Sequence, residues 1–371
     1  MAWKLMRLKP LKPFFFGKEK VFANTNYVSS EYFPQQTQIL GSIRAYLLES
    51  NGLLKIHKNG KFCSKEIKEE ALQLVGSANS ENFDTLYEND LGIINFISPM
   101  FINKILDNQQ LSSIFAIPDE IIEFEEKKEE KTLKILKKVN PKKLDGIISN
   151  NNAVILENYN SKIGFKKAFG DKLFWENYIN NEEINNLIEP EDIFISSKQV
   201  GITLKGLTKI VEEEKFYTKE SYLLKDKFEF AILIDIKNEL KLKDGIITIG
   251  GESSTFSLKI EDLPNYFEEH PIIKIFKEYK EDKKGKKIVL LSDSILENSI
   301  QKNSFYQIIS NKVPFRMMTS NTNKIEPSFQ KTQTKLLVGK GSIYYFDDAT
   351  SLPKAKGAYS KMGFNQYLTL E

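Results

Sequence analysis

The spacing of apolar positions changes character along the chain. Residues 1–9 alternate loosely, with Trp3 and Leu5 apolar and Lys4 and Arg7 between them, and predict a first strand. Pro10 and Pro13 end it, since a residue before proline is pushed toward extended backbone. Phe14-Phe15-Phe16 and Gly17-Lys18-Glu19-Lys20 then predict a strand end and a turn, with at least two of the three rings in the core. Over 34–50 the period becomes helical. Ile39, Leu40, Ile43 and Leu47 share a face, Pro34 and Thr37 supply starts, and Asn51-Gly52 supplies a stop. A second helix is predicted over 64–76, with Ser64 as its cap.

Residues 119–139 carry Glu and Lys of alternating sign around Ile121, Ile122, Phe124, Leu133, Ile135, Leu136 and Val139. They predict a solvated helix or a flexible insertion. Asn150-Asn151-Asn152 reads as a loop. So does Asn180 to Pro190, where the chain divides best into halves. Beyond it, Phe228 to Ile236 is an aromatic and β-branched run that predicts a buried strand. Strands are also predicted over 245–249, 255–260, 287–292, 335–338 and 342–346, and helices near 262–280 and 297–310. The lysine-rich run Lys277 to Lys287 predicts an exposed loop that either touches phosphate or is simply solvated. Strands with occasional helices, and no strict strand–helix alternation, predict an α+β fold with antiparallel sheets rather than a doubly wound one. No internal repeat of fixed period is present.

Composition narrows the function classes. The chain has 371 residues, enough for two domains or one large domain with insertions. Apolar residues make up 41% and charged residues 28%. No apolar run reaches the roughly 18 residues that span a bilayer. Cys63 is the single cysteine, so no intramolecular disulfide framework exists. The Phe14–Phe16 stretch is too short for the apolar part of a signal peptide, and a cytoplasmic protein is expected. A net charge of +3 speaks against coating of nucleic acid at large and leaves room for a local patch. The basic residues are nearly all lysine, with arginine only at Arg7, Arg44 and Arg316. Histidine occurs only at His57, in a predicted turn, and at His270. There is no HExxH, paired CxxC, phosphate-binding Walker loop or GxSxG. Neither a metal nor a cofactor is expected.

Three stretches share an order that is specific in combination. The first is Leu8-Lys-Pro-Leu-Lys-Pro-Phe-Phe-Phe-Gly-Lys-Glu-Lys-Val-Phe22 with Tyr32-Phe33-Pro34 leading into Gly41-Ser42-Ile43-Arg44. The second is Val200 to Leu204, Phe216-Tyr217, the strand 228–236 and Ile249-Gly250-Gly251-Glu252. The third is Gly339 to Phe346 followed by Gly357-Ala-Tyr359-Ser360-Lys361-Met362-Gly363-Phe364-Asn365. Together they resemble the third subunit of the Cmr (type III-B) CRISPR effector complex, in the RAMP superfamily. The chain departs from that family at Gly17-Lys18, where an arginine is usual, and at Ala358 and Asn365, where glycines are usual.

The resemblance implies two ferredoxin-like, RRM-related domains with helical and loop insertions, over residues 1–185 and 186–371, the second with the glycine-rich loop. It implies a non-catalytic subunit in antiviral defence that binds the 5′ handle of the guide crRNA. It further implies docking on a large polymerase-like subunit and on backbone RAMP subunits, indirect contact with target RNA, and no membrane. The RNA-binding residues expected are Lys18, Lys20, Gly41, Ser42, Arg44, Gly250, Gly251, Lys340, Gly357, Tyr359, Ser360, Lys361 and Gly363. Bare glycine backbone can approach phosphate closely. Tyr359, Ser360 and Lys361 offer a stacking ring, a hydroxyl and a cation between two glycines.

Each of these positions also has a purely structural reading. The loop at 357–363 can be a tight turn, Gly41 and Ser42 can let a helix approach a sheet, and Gly250-Gly251 can turn a hairpin. Glu252 suits a partner contact better than a phosphate. Three other functions remain open at this point. One is a metal-independent ribonuclease that trims repeat RNA, which wants a histidine base. Another is the equivalent subunit of a Csm-like complex, and the last is a protein scaffold that binds no RNA.

Overall fold

The computed structural model describes residues 2–17, 27–53, 65–77, 91–126, 130–136, 138–139, 153–154, 163–185, 187–205, 210–237, 242–250, 254–296, 298–321, 328–331, 333–353, 355 and 357–371. Cys63, Ser64, His57 and the asparagine run 150–152 lie outside them, so the readings made of these residues have no structural counterpart.

An eight-stranded sheet organises the molecule. Its order is Phe169–Gly170, Leu111–Ala116, Phe101–Ile105, Phe228–Ile236, Ala2–Pro10, Thr255–Asp262 and Gly245–Thr248, with Ile94–Ile97 also paired to the central strand. Every pairing in it is antiparallel. The first strand lies between 228–236 and 255–262, with Leu5 opposite Leu233 and Leu8 opposite Leu258. Strands from both sides of the expected 185/186 division therefore share this sheet.

All nine residues of Phe228–Ile236 are buried. Phe230, Ile232 and Ile234 face a core built with Ile39, Leu40, Ile43 and Leu47 of the helix Gln36–Ser50. Ala231 and Leu233 face the opposite way. They pack with Phe174, Trp175 and Tyr178 of the helix Lys172–Asn180, and with Ile272, Ile273 and Phe276 of the helix Pro271–Lys277. A strand covered on both faces explains the continuous apolar run, where a half-exposed strand would alternate. Along this strand neither face is open in the manner of the sheet on which RRM domains stack bases. Two charges enter this sheet with partners. Glu229 accepts from the Arg7 guanidinium at 2.5 and 3.0 Å, and Asp235 accepts from the Tyr279 hydroxyl at 3.3 Å.

A second antiparallel sheet orders Tyr306–Ile308, Ile343–Thr350, Gly285–Leu290 and Tyr367–Leu370. A long hairpin, Phe194–Lys205 with Ile210–Leu224, pairs with Tyr27–Glu31, and that strand with Phe16–Gly17. The architecture is α+β with mostly antiparallel sheets, as the order of strands and helices predicts.

Several local expectations are corrected. The described residues of 119–139 are not a helix. Ile121–Glu126 and Glu130–Ile135 form a hairpin, joined by Ile163–Phe165. Ile122 and Phe124, and Leu133 and Ile135, are two residues apart, which is the strand period that the alternating charges mask. The predicted helix at 262–280 breaks into a 3₁₀ turn, Asn265–Glu269, and the helix Pro271–Lys277. Pro271 starts the second piece, and His270 caps it by accepting from the Ile272 amide at 3.2 Å. The helix predicted over 297–310 stops at Asn303, and Tyr306–Ile308 is a strand. The helix Lys172–Asn180 was not predicted; Asp171 caps it through the Phe174 amide at 3.1 Å.

Candidate functional site: a cleft at the Gly339–Ser342 turn

The central strand is covered on both faces, and the concave surface of interest lies at the ends of strands and the turns that join them. Residues 339–342 form a turn between the strands Lys335–Val338 and Ile343–Thr350. The Gly339 amide donates to the Asn311 carbonyl at 2.8 Å, and the Gly341 amide to the Leu290 carbonyl at 2.8 Å. The Ser342 hydroxyl donates to the Gly339 carbonyl at 2.7 Å and accepts from the Ser310 amide at 3.0 Å. The Asp119 amide donates to the Gly341 carbonyl at 2.9 Å, which ties the turn to the first sheet. Gly341 has φ +90°, in the region that favours glycine, and a Cβ there would stand 3.1 Å from Asp119 Oδ1.

This turn puts Lys340 in the wall of a cleft of about 270 Å³. Its Nζ lies 3.6 Å from the centroid of the Phe33 ring, a cation–π contact. Its amide donates to Asp293 Oδ1 at 3.1 Å. Asp119, Asp293, Lys167 and Lys312 also line the cleft, among apolar residues that include Met100, Phe169 and Phe364. Burial holds the Lys340 ammonium below the usual lysine pKa, against the opposing pull of Asp293. Burial raises the carboxyl of Asp293, opposed by Lys340, and that of Asp119, opposed by a Ser310 hydrogen bond and by Lys167. A cation, two carboxylates with weakened hydration and aromatic walls can hold a polar, flat ligand.

The residues expected from the sequence scatter. Lys340 belongs to the cleft. Lys18, Lys20 and Gly251 lie outside the described residues. Gly250 has φ +82°, and a Cβ on it would stand 2.7 Å from the Phe16 ring, so it shapes the aromatic turn. Phe14 and Phe16 are buried, as expected for two of the three rings, and Lys219 lies 4.9 Å over Phe15. Arg44 donates to the Gly76 carbonyl at 3.0 Å and so clamps the end of the helix Lys65–Val75. Gly41 corrects the close-packing explanation: it is exposed, and a Cβ on it would meet nothing within 4 Å. Its neighbour Ser42 is half-buried.

Tyr359 is a second correction. It is 1% exposed, packed edge-on to Phe315 and Phe364 at 6.3 and 5.5 Å, and its ring has no face open to a base. An aromatic in a short loop among Ala358, Met362 and Phe364 is drawn into the core by its own area. The 357–363 loop instead buttresses the cleft from behind. Gln36 donates to the Met362 and Ser98 carbonyls at 2.6 and 3.1 Å. Gly363, with φ +74°, leaves room for that side chain. Gly357, with φ +57°, starts the loop, and its carbonyl accepts from the Ser360 hydroxyl at 2.9 Å. Ser360 and Lys361 line a second cleft of about 360 Å³ with Tyr279, Lys280 and Lys283 of the lysine-rich loop, and Phe364 lines both clefts.

Reading the sequence missed Phe33, Asp119, Asp293 and Asn311 as site residues. They are far apart in the chain and share no motif. The one signal available was Gly-Lys-Gly-Ser at 339–342, a turn sequence with a cation at its tip. His270 is buried, and burial lowers its pKa to about 3, so it stays neutral and is committed to capping a helix. Among the described residues, no three of His, Cys, Asp and Glu gather as a metal site.

The family model for "CRISPR-associated protein (Cas_Cmr3)" matches residues 6–371. No curated protein matches. Among solved structures, a chain of the type III-B Cmr-beta complex bound to cognate target RNA aligns at TM-score 0.50 and 13% identity. That alignment covers 99% of this chain and 96% of the other. A chain of the same complex bound to cognate target RNA and AMPPnP aligns at TM-score 0.47 and 13% identity, covering 92% and 86%. At such identity the likeness speaks for the fold.

Proposed function

This chain belongs to the Cmr3 family of CRISPR-associated proteins, and on that premise we propose that it is a non-catalytic RAMP subunit of a type III-B effector. In this reading it works in the cytoplasm and binds the 5′ handle of the guide crRNA. It docks on the large polymerase-like subunit and on backbone RAMP subunits, and meets target RNA only through them. The two ferredoxin-like units of the resemblance would share the eight-stranded sheet.

The observation that carries the reading is the cleft at Lys340. It is the place where a glycine-bearing turn expected to touch RNA meets a cation, aromatic walls and exposed lysines in one concavity. Single-stranded RNA is held by such combinations of stacking surface and basic groups. A non-catalytic role is supported by the state of His270, which is neutral, buried and used as a cap.

The test is recovery of the tagged protein from its native cell, with sequencing of the RNA that comes with it. Short RNAs sharing one repeat-derived 5′ end, together with a large polymerase-like partner, are expected. Lys340→Ala should lower the RNA recovered per molecule of protein. Recovery of the partner without RNA, or of neither, would refute handle binding.

A further inference from the structure

We propose that one face of the eight-stranded sheet, presented by Lys9, Leu11, Ile246, Ser257 and Lys259, is the docking face for a partner subunit whose surface is acidic around an aliphatic patch. The proposal rests on the reading above that this chain docks on other subunits, and adds the face by which it meets one of them.

The register puts these side chains together. Residues opposite one another in an antiparallel pair share a face, and successive residues along a strand point to opposite faces. Lys9 stands opposite Ser257, Ser257 opposite Ile246, and Arg7 opposite Lys259. The Leu11 amide donates to the Thr255 carbonyl at 3.0 Å, which keeps the chain beside that strand past Pro10. On its other side the first strand places Arg7 opposite Ala231 and Leu5 opposite Leu233. The face is therefore a continuation of the one that the helices Lys172–Asn180 and Pro271–Lys277 cover at the central strand. Out at these strands it is open. Ile246 is 61% exposed and Leu11 57%, and Lys9, Thr248 and Lys259 are exposed as well. The reverse face of the same strands is core, where Leu8, Ile247, Phe256 and Leu258 are buried.

Charge and shape then select the occupant. Lys9 and Lys259 are diagonal neighbours, so their like charges stand side by side. Among the described residues neither has a carboxylate partner. Arg7 differs, being held by Glu229 at 3.0 Å and by Glu261 at 3.4 Å. Two unpaired cations beside two exposed aliphatic side chains match a surface with carboxylates around an apolar centre, the usual layout of a protein interface. None of these residues lines either cleft described above, and a flat face does not enclose a small molecule. Single-stranded RNA fits less well. None of the exposed residues here is aromatic, so bases have nothing to stack on. Glu261 lies on the same face, opposite Leu5, and would repel a phosphate.

The test compares the assembly recovered from the native cell with the isolated full-length chain. Acetylation of amines, read by mass spectrometry, should label Lys9 and Lys259 in the isolated chain and lose most of that labelling in the assembly. A carbodiimide, which joins an amine to a carboxylate without a spacer, should couple one of the two lysines to an Asp or Glu of another protein. Ile246→Asp should lower recovery of that protein roughly ten-fold, with urea unfolding as in the parent. The labelling of the unaltered protein stands even if the variant fails to fold. Partners recovered while Lys9 and Lys259 stay as reactive as in the isolated chain would overturn this face and leave docking intact. Protection that ribonuclease removes would overturn the protein occupant in favour of RNA. Recovery of no partner would overturn the docking reading and this proposal with it.

Discussion

Replacing glycine by alanine should have opposite effects at two positions of this chain, and the pair tests the packing argument directly. Gly363 has φ +74°, and a Cβ there would stand 2.6 Å from Gln36 Nε2, 2.7 Å from the Ile97 carbonyl oxygen and 2.9 Å from the Pro99 nitrogen. Two of the three atoms are backbone and cannot swing away. The left-handed conformation costs an alanine about 1–2 kcal/mol, and the overpacking adds about 1–3 kcal/mol. Gly363→Ala should therefore destabilise by roughly 2–5 kcal/mol. Gly41 lies within the helix Gln36–Ser50, exposed and with nothing within 4 Å of a built Cβ. Gly41→Ala should stabilise by about 1 kcal/mol, the helix-propensity difference.

The assay is thermal and urea unfolding followed by far-ultraviolet circular dichroism, with both variants beside the parent. Because a chain of this size need not unfold in two states, the sign of each shift is the readout. A Gly363→Ala protein as stable as the parent would refute the buttress described for the 357–363 loop. If Gly41→Ala stabilises the protein but impairs recovery of RNA or of a partner, the bare helix surface at Gly41 is in use.

Three further outcomes follow from single residues. Glu120 is fully buried and accepts from the Tyr178 hydroxyl at 2.6 Å, from the Lys287 ammonium and from the Tyr345 hydroxyl. Glu120→Ala strands the Lys287 charge and should cost about 3–5 kcal/mol, with Glu120→Gln milder; equal stability by urea unfolding would sink this. His270, held at a pKa of about 3, binds its proton more readily unfolded than folded, so its stability contribution is complete above pH 6.5 and is lost progressively as pH falls toward 3. Between pH 7 and pH 4 that loss should reach about 3 kcal/mol. His270→Gln should flatten the stability profile over that range, and parallel profiles would contradict it. Tyr359→Ala removes a core ring and should destabilise by about 3–5 kcal/mol. RNA affinity per folded molecule should not change, and a selective loss of affinity in a stable variant would restore Tyr359 as a contact.

What was legible in the sequence follows from which interactions are local. The first strand and the helix Gln36–Ser50 state their burial in their period, and the central strand Phe228–Ile236 in its unbroken apolar run. The hairpin at 121–135 does not. Its apolar residues alternate as a strand requires, but the charges between them also suit a solvated helix, and Glu120 chooses by reaching Lys287 and Tyr345 across the molecule. The helix Lys172–Asn180 was hidden because its buried residues are aromatic, Phe174, Trp175 and Tyr178, and read locally as strand formers. Tyr359 was misplaced for a related reason: a glycine loop looks exposed until Phe315 and Phe364 are known to enclose it.

The candidate site was harder to read than the fold because of the sheet itself. A central strand covered on both faces cannot present a row of stacking rings at strand spacing, the signal by which an RRM-like platform is recognised in sequence. The cleft takes Phe33 from a helix entry, Asp119 from a strand exit, Asp293 from a turn and Lys340 from the turn that joins strands of two different sheets. No two of these are neighbours in the chain, so no spacing could announce them. The same separation has a physical consequence. Phe230 and Leu233 are fully buried within the sheet, whereas Lys340 and Asp119 are half-buried and line the cleft. Substitutions at Phe230 or Leu233 should act through folding alone. Substitutions at Lys340 or Asp119 should act on binding, and a measurement of affinity per folded molecule separates the two sets.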